Sequence, residues 1–140
     1  MRILCIDYGS KRIGLAICDE LGLTAQALTT ITRKNREKDL EEIEAVIKQY
    51  NVEKIVVGYP LRLDGTEGIQ CEKVNRFVDI LESRFSLPII KWDETLSTKE
   101  AEEILIEANI SRKKRKDVVD KLAAAIILKS YLDYVDRTKD

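Results

Sequence analysis

The stretch CIDYGSKRIGLAICD, residues 5–19, sets an acid, Asp7, at the end of an apolar run. RILCI (2–6) before it and IGLAIC (13–18) after it both read as strands, and Gly9 between them marks a turn, so the segment predicts a hairpin. On a strand Ile3, Cys5 and Asp7 share a face, which aims a carboxylate where apolar side chains go. Burying an unpaired carboxylate is costly, and a cation is the usual remedy. The plainer alternative is a turn acid that accepts backbone N–H bonds.

Working outward, a third strand is expected over 23–32, ending in the alternating LTTIT. EKDLEEIEAVIKQY (37–50) places Leu40, Ile43, Ala45, Val46 and Ile47 mostly on one helical face. KIVVGYP (54–60) reads as a short buried strand stopped by Gly58 and Pro60, and the loop LRLDGTEG follows. A helix over about 68–84 carries the stripe Val74, Phe77, Val78 and Leu81, and LPIIKW (87–92) is another strand. STKE (97–100) matches a capping box and predicts a helix from Ser97 to about Ala108. A last helix is expected over about 117–135. The order β-β-β-α-β-α-β-α-α implies an α/β fold, a mixed five-stranded sheet with helices on both faces, in one domain over residues 1–140.

Composition narrows the chemistry. Of 140 residues, 44% are hydrophobic and 35% charged, which fits a globular domain with a real core. No apolar run approaches the ~20 residues needed to cross a bilayer. MRILCIDYGS reads as a strand and not a cleavable signal, so the expected location is the cytoplasm, away from membranes. Cys5, Cys18 and Cys71 show no CxxC spacing and read as small buried hydrophobes. Histidine is absent, which excludes Ser-His-Asp and Cys-His catalysis and imidazole-based zinc sites. Hydrolysis would therefore fall to carboxylates working through a hard cation such as Mg²⁺. Net charge is −1, yet RKKRK (112–116) and RKNR (33–36) are locally basic. Such patches hold phosphates, or simply form a solvated loop ahead of a helix.

Two further acids stand where ligands gather. Asp93 and Glu94 follow the strand LPIIKW and precede a capped helix, and carboxyl ends of strands in α/β sheets are ligand positions. Neighbours in extended chain face opposite ways, so one of the two reaches a shared site. Asp120, in DVVDKLAAAIILKSY, lies at the edge of the stripe formed by Ala123, Ala124, Ile127 and Tyr131. The plainer reading of both positions is an acid favouring a helix N-terminus. The small residues Ala123–Ala125 would let this helix approach the sheet closely.

DYGSKRIGLAICD, VVGYPLRLDGTEG, WDETLST and VVDKLAAAIILKSY resemble, in order, the successive motifs of the YqgF/RuvX proteins, over about Ile3 to Tyr131. These are called Holliday-junction resolvases or pre-16S ribosomal RNA nucleases and have a ribonuclease-H-like fold. The DxG opening alone would be weak, being shared with sugar kinases and actin-like ATPases. Carried over position by position, the resemblance implies an acidic catalytic and metal site at Asp7, Glu94 and Asp120. It also implies that Lys11, Arg12, Gly58, Pro60 and Gly65 line the cleft. Two Mg²⁺ (or Mn²⁺) ions about 4 Å apart would be bridged by Asp7 for in-line phosphodiester hydrolysis. Two positions depart from the family pattern: Thr95 stands where Arg is common, and Arg62 replaces Asn in LRLDGT.

The expected function is a metal-dependent nuclease acting on structured nucleic acid, with 5′-end maturation of pre-16S rRNA as the favoured role and ribosome assembly as its setting. The alternatives are a Holliday-junction DNA resolvase, or a non-catalytic nucleic-acid-binding factor that kept the fold. Lys11, Arg12, Arg62 and the run Arg112, Lys113, Lys114, Arg115 and Lys116 are the expected phosphate contacts.

Overall fold

The computed structural model describes residues 2–62, 64–94 and 97–138. Its elements are β1 (Ile3–Tyr8), β2 (Arg12–Cys18), β3 (Ala25–Thr32), α1 (Arg36–Tyr50), β4 (Lys54–Tyr59), α2 (Ile69–Arg84), β5 (Ile89–Asp93), α3 (Ser97–Glu107) and α4 (Arg112–Thr138). The sheet runs β3-β2-β1-β4-β5. β1, β2 and β3 pair antiparallel as two hairpins, while β4 and then β5 join β1 in parallel. The expected element order and mixed sheet are both present.

Strand alternation builds two cores. Leu4, Ile6, Ile13, Leu15, Ile55 and Val57 face α1 and α2, whose stripes include Leu40, Ile43, Val74, Phe77 and Leu81. Ile3, Cys5, Ala16, Cys18 and Val56 face α4 through Ala124, Ile127, Leu128 and Tyr131. All three cysteines are buried thiols, as expected of small apolar groups. The α4 face of the sheet is floored by small residues, and this sets how near the helix comes. A Cβ added to Gly14 would stand 2.1 Å from the main-chain oxygen of Asp120 and 2.3 Å from its carbonyl carbon. The helix backbone therefore lies directly on β2. At the far end of the same face Trp92 packs edge-on against Tyr131 (5.3 Å between ring centres) and beside Tyr134 (5.0 Å), while its indole donates to Ser130 Oγ at 3.1 Å.

Three local expectations are corrected, two about boundaries and one about a cap. β5 begins at Ile89, two residues later than expected, and Asp93 is its last residue. α4 begins at Arg112, five residues earlier than expected, so RKKRK is the opening of a helix and not a loop. Ser111 supplies the cap, accepting Lys114 N–H on Oγ at 3.3 Å, and Lys and Arg are good helix formers. α3 does begin at Ser97, but without the capping box. Ser97 Oγ is buried with no hydrogen-bond partner among the described residues, and the turn is made instead by Ser97 N–H donating to Glu94 O at 2.9 Å.

The contact at Gly14 is with main-chain atoms, which cannot rotate away. Gly14→Ala should push α4 off the sheet at a cost of about 1–3 kcal/mol, the range for overpacking. A thermal melt should then show Tm lower by roughly 3–10 °C. An unchanged Tm would mean that the helix does not rest on β2.

Candidate active site

Asp7 sits on the central strand with glycine on both sides. Across β2 its partner is Gly14. On the other side Ile6 pairs with Val57, which puts Gly58 level with Asp7. Gly14 admits the backbone of α4. Gly58 admits Glu94, since a Cβ at 58 would stand 2.9 Å from Glu94 Oε2 and 3.0 Å from Ile127 Cδ1. Isolated glycines inside strands mark close approaches, and here each makes room for one of the acids.

Glu94 is brought in by the parallel edge. Its N–H donates to Tyr59 O at 3.1 Å, continuing the β4–β5 ladder by one residue. Asp93 is exposed and Glu94 half-buried, so Glu94 is the one of the adjacent pair that turns inward. Its carboxyl hydrogen-bonds to Asp7. Asp7 is only 9% exposed, which makes this an acid pair withdrawn from water. Burial, then the neighbouring charge of Asp7 and the hydrogen bond to it, push Glu94 up to about 9 from its ordinary 4.5. Asp7 is also raised, chiefly by burial, against the lowering effect of the hydrogen bond from Glu94. Near neutral pH the pair therefore holds one proton between its two carboxyl groups, as two like charges withdrawn from water require.

Asp120 stands beside this pair, and its charge adds to the upward shift of Asp7. Its carboxylate is nevertheless held by Arg12, whose Nε donates to Oδ2 at 2.6 Å. Among the described residues no three His, Cys, Asp or Glu side chains close into a group able to hold a metal ion. Of the three expected acids, two are in direct contact and the third is turned to an arginine. The donor chemistry still suits a hard divalent cation: an all-oxygen set, with Asp7 buried, Glu94 half-buried, and the two kept together by a proton where a cation would serve. The residues fit such an ion in type, with Asp120 the outlying member.

The expected phosphate contacts divide. Lys11 is exposed on the β1–β2 turn. Arg12 is engaged with Asp120, which sequence reading did not foresee across 108 positions. Arg62 is exposed, and its guanidinium lies over Gly68 within its own loop, with Nε 2.9 Å from a Cβ placed there. Gly65 turns that loop at φ +84°, a backbone that favours glycine. Arg112, Lys113, Lys114 and Lys116 are exposed on the opening of α4, whereas Arg115 donates to Ile110 O at 2.9 Å. Thr95, the other departure, lies outside the described residues.

A central acid on a mixed sheet of this order, with a covering helix that carries another, defines a ribonuclease-H-like fold of the resolvase type. Thermus thermophilus RuvC, solved in complex with a Holliday junction substrate, superposes with a TM-score of 0.55 at 17% identity, over 99% of this chain and 97% of that one. The fowlpox virus resolvase, solved with substrate Holliday junction DNA, gives 0.57 at 14% identity, over 96% and 99%. The chain belongs to the RuvX family, whose model, described as Holliday junction resolvase, matches residues 1–134. A relative from Syntrophus aciditrophicus is 62% identical over 99% of this chain and 93% of its own. One from Halothermothrix orenii is 53% identical over 98% of each. Both are provisionally named pre-16S rRNA nuclease.

The shared proton has a measurable sign. Between about 4.5 and 9 the folded protein holds a proton at Glu94 that the unfolded chain has released. Stability is therefore greatest below 4.5 as far as this group is concerned, and is lost as pH rises toward 9. In chelator, the unfolding free energy from urea titrations should fall over that window, by at most about 1.4 kcal/mol per pH unit from this one group. Glu94→Gln should remove most of the slope, and a variant as steep as the wild type would contradict the shared proton.

Proposed function

We propose that the chain is one nuclease domain, residues 1–140, that hydrolyses phosphodiester bonds of structured nucleic acid with Mg²⁺ or Mn²⁺. Its proposed role is 5′-end maturation of pre-16S rRNA in the cytoplasm, in association with ribosome assembly. The observation that carries the reading is the buried Asp7–Glu94 pair. A fold gains no stability from two acids pressed together in a dry site, whereas oxygen donors held ready for a cation account for both the burial and the pairing. The names of the relatives and the resolvase fold support the same class of reaction.

In this reading Asp7, Glu94 and Asp120 hold the metal. When bound, the metal supplies charge stabilisation at the scissile phosphate and activation of a water for attack. The chain does the rest. The pair would release its shared proton to bulk water, so that both carboxylates would be charged and available. Arg12 is the hinge of the arrangement: a guanidinium suits a phosphate oxygen as well as it suits a carboxylate. An incoming backbone phosphate draws Arg12 from Asp120, and Asp120 then faces Asp7. Lys11 and the basic opening of α4 (Arg112, Lys113, Lys114, Arg115 and Lys116), with Arg62, hold the backbone without reading its sequence.

A second reading, Holliday-junction resolution, is favoured by the family description and by the junction complexes of the structural relatives. Labelled single-stranded RNA and four-way DNA, incubated side by side with Mg²⁺, Mn²⁺ or chelator, separate the two. RNA should be cut, and only with metal. Asp7→Asn should bind RNA as the wild type does but cut at least roughly a hundredfold more slowly, since several kcal/mol of charge stabilisation is lost. Preferential cutting of the junction would favour the second reading. Equal cutting by wild type and variant would reject the acidic site, and RNA and junction both bound but left uncut with metal would leave a non-catalytic binding factor.

A further inference from the structure

Asp7 and Tyr8 are consecutive on β1 and point to opposite faces of the sheet. The face behind the acids carries a cavity of about 500 Å³, bounded by Tyr8, the Gly9–Ser10 turn, the start of α1 and one side of α2. Its volume is in the range of ligand pockets that take a nucleotide-sized group. Its charge is one-sided. Arg33, Arg36, Lys73 and Arg76 line it against a single carboxylate, Asp39.

Arg33 is fully engaged. It donates to Gly9 O at 3.0 Å and Ser10 O at 3.3 Å, lies 4.6 Å from the Tyr8 ring centre, and pairs with the buried Asp39 at 3.8 Å. It fixes the turn and cancels the only acid. Tyr8 is closed on its other side by Phe77, stacked at 4.1 Å, so no aromatic face is left open for a base. Arg36, Lys73 and Arg76 remain, exposed and with no ion pair among the described residues. Three uncompensated cations around one concavity, without an open ring, select a phosphate more than a base or an apolar group.

We propose that this cavity is a second phosphate subsite, which seats the backbone of the nucleic-acid strand after it has passed from the acids over the β1–β2 turn. Gly9 and Ser10 belong to that turn and to the cavity wall, and exposed Lys11 sits between the two sites. RKNR, the basic run that the acidic site does not use, contributes Arg33 and Arg36. The identity of the ligand as a substrate strand rests on the nuclease reading; the capture of phosphate does not.

The test is binding, measured in chelator so that nothing is cut. A fluorescent single-stranded RNA is titrated by anisotropy, from low to moderate salt, against wild type, Lys73→Gln/Arg76→Gln and the charge-matched control Lys48→Gln/Lys129→Gln. The cavity variant should bind roughly tenfold more weakly, as expected for two ionic contacts of about a surface pair's strength. Its salt slope should fall by about 1.4, at ~0.7 per phosphate contact on single strands. The control should change neither. All substituted residues are exposed, and matching melts would confirm intact folds. A nucleoside 5′-monophosphate titrated in parallel should bind far more weakly than RNA; tight binding of the mononucleotide, with RNA affinity unmoved by the cavity variant, would assign the cavity to a free nucleotide and overturn the proposal. Equal losses in the two double variants would also overturn it, reducing the effect to general charge. If the cavity variant loses RNA affinity while the wild type cuts nothing with Mg²⁺, the subsite stands and the nuclease reading falls.

Discussion

Negative charge withdrawn from water is the constraint around which this molecule is arranged. Asp7 occupies a position whose strand neighbours are all apolar, and its carboxylate meets a second acid instead of a base. One proton shared between them is the minimum that keeps the pair from repelling. The glycines that flank Asp7 exist in the same economy of space, one yielding room to the main chain of α4 and the other to the side chain of Glu94. Neither Glu94 nor the main chain at Asp120 could stand where it does on a sheet with ordinary side chains at those two places.

The third acid is held under opposite rules. Asp120 is fixed through its backbone by the contact with Gly14, while its side chain is paired with Arg12. In the proposed function that pairing is exchanged when substrate and metal arrive. A phosphate competes for the guanidinium, and a cation competes for the carboxylate. Both competitions push the same way, so substrate and metal assist one another in that account without any shift of the helix.

Much of the fold was readable because its strands are of the simplest kind. Ile3–Ile6, Ile13–Cys18 and Ile55–Val57 are continuous apolar runs, and both faces of the central strands are covered. The boundaries failed where local rules conflict. RKKRK looks like a solvated loop by charge but is helical by propensity and by the Ser111 cap. STKE has the letters of a capping box, yet Ser97 is turned inward and unpartnered. At the site, alternation was enough to aim Asp7, and burial chose Glu94 over Asp93. The partnership of Arg12 with Asp120 was not legible, because it depends on where a helix begins relative to a hairpin 108 residues earlier. The cavity was hidden for a like reason. Its cations come from the β3–α1 connection, the first residue of α1 and one side of α2, and only the fold brings them to one mouth.

The chain contains a single tryptophan, two residues before Glu94, with its indole hydrogen-bonded to Ser130 and its ring set between two tyrosines of α4. Its emission therefore reports the seating of α4 on the edge strand that leads into Glu94. Loosening of that joint is visible as a change of colour.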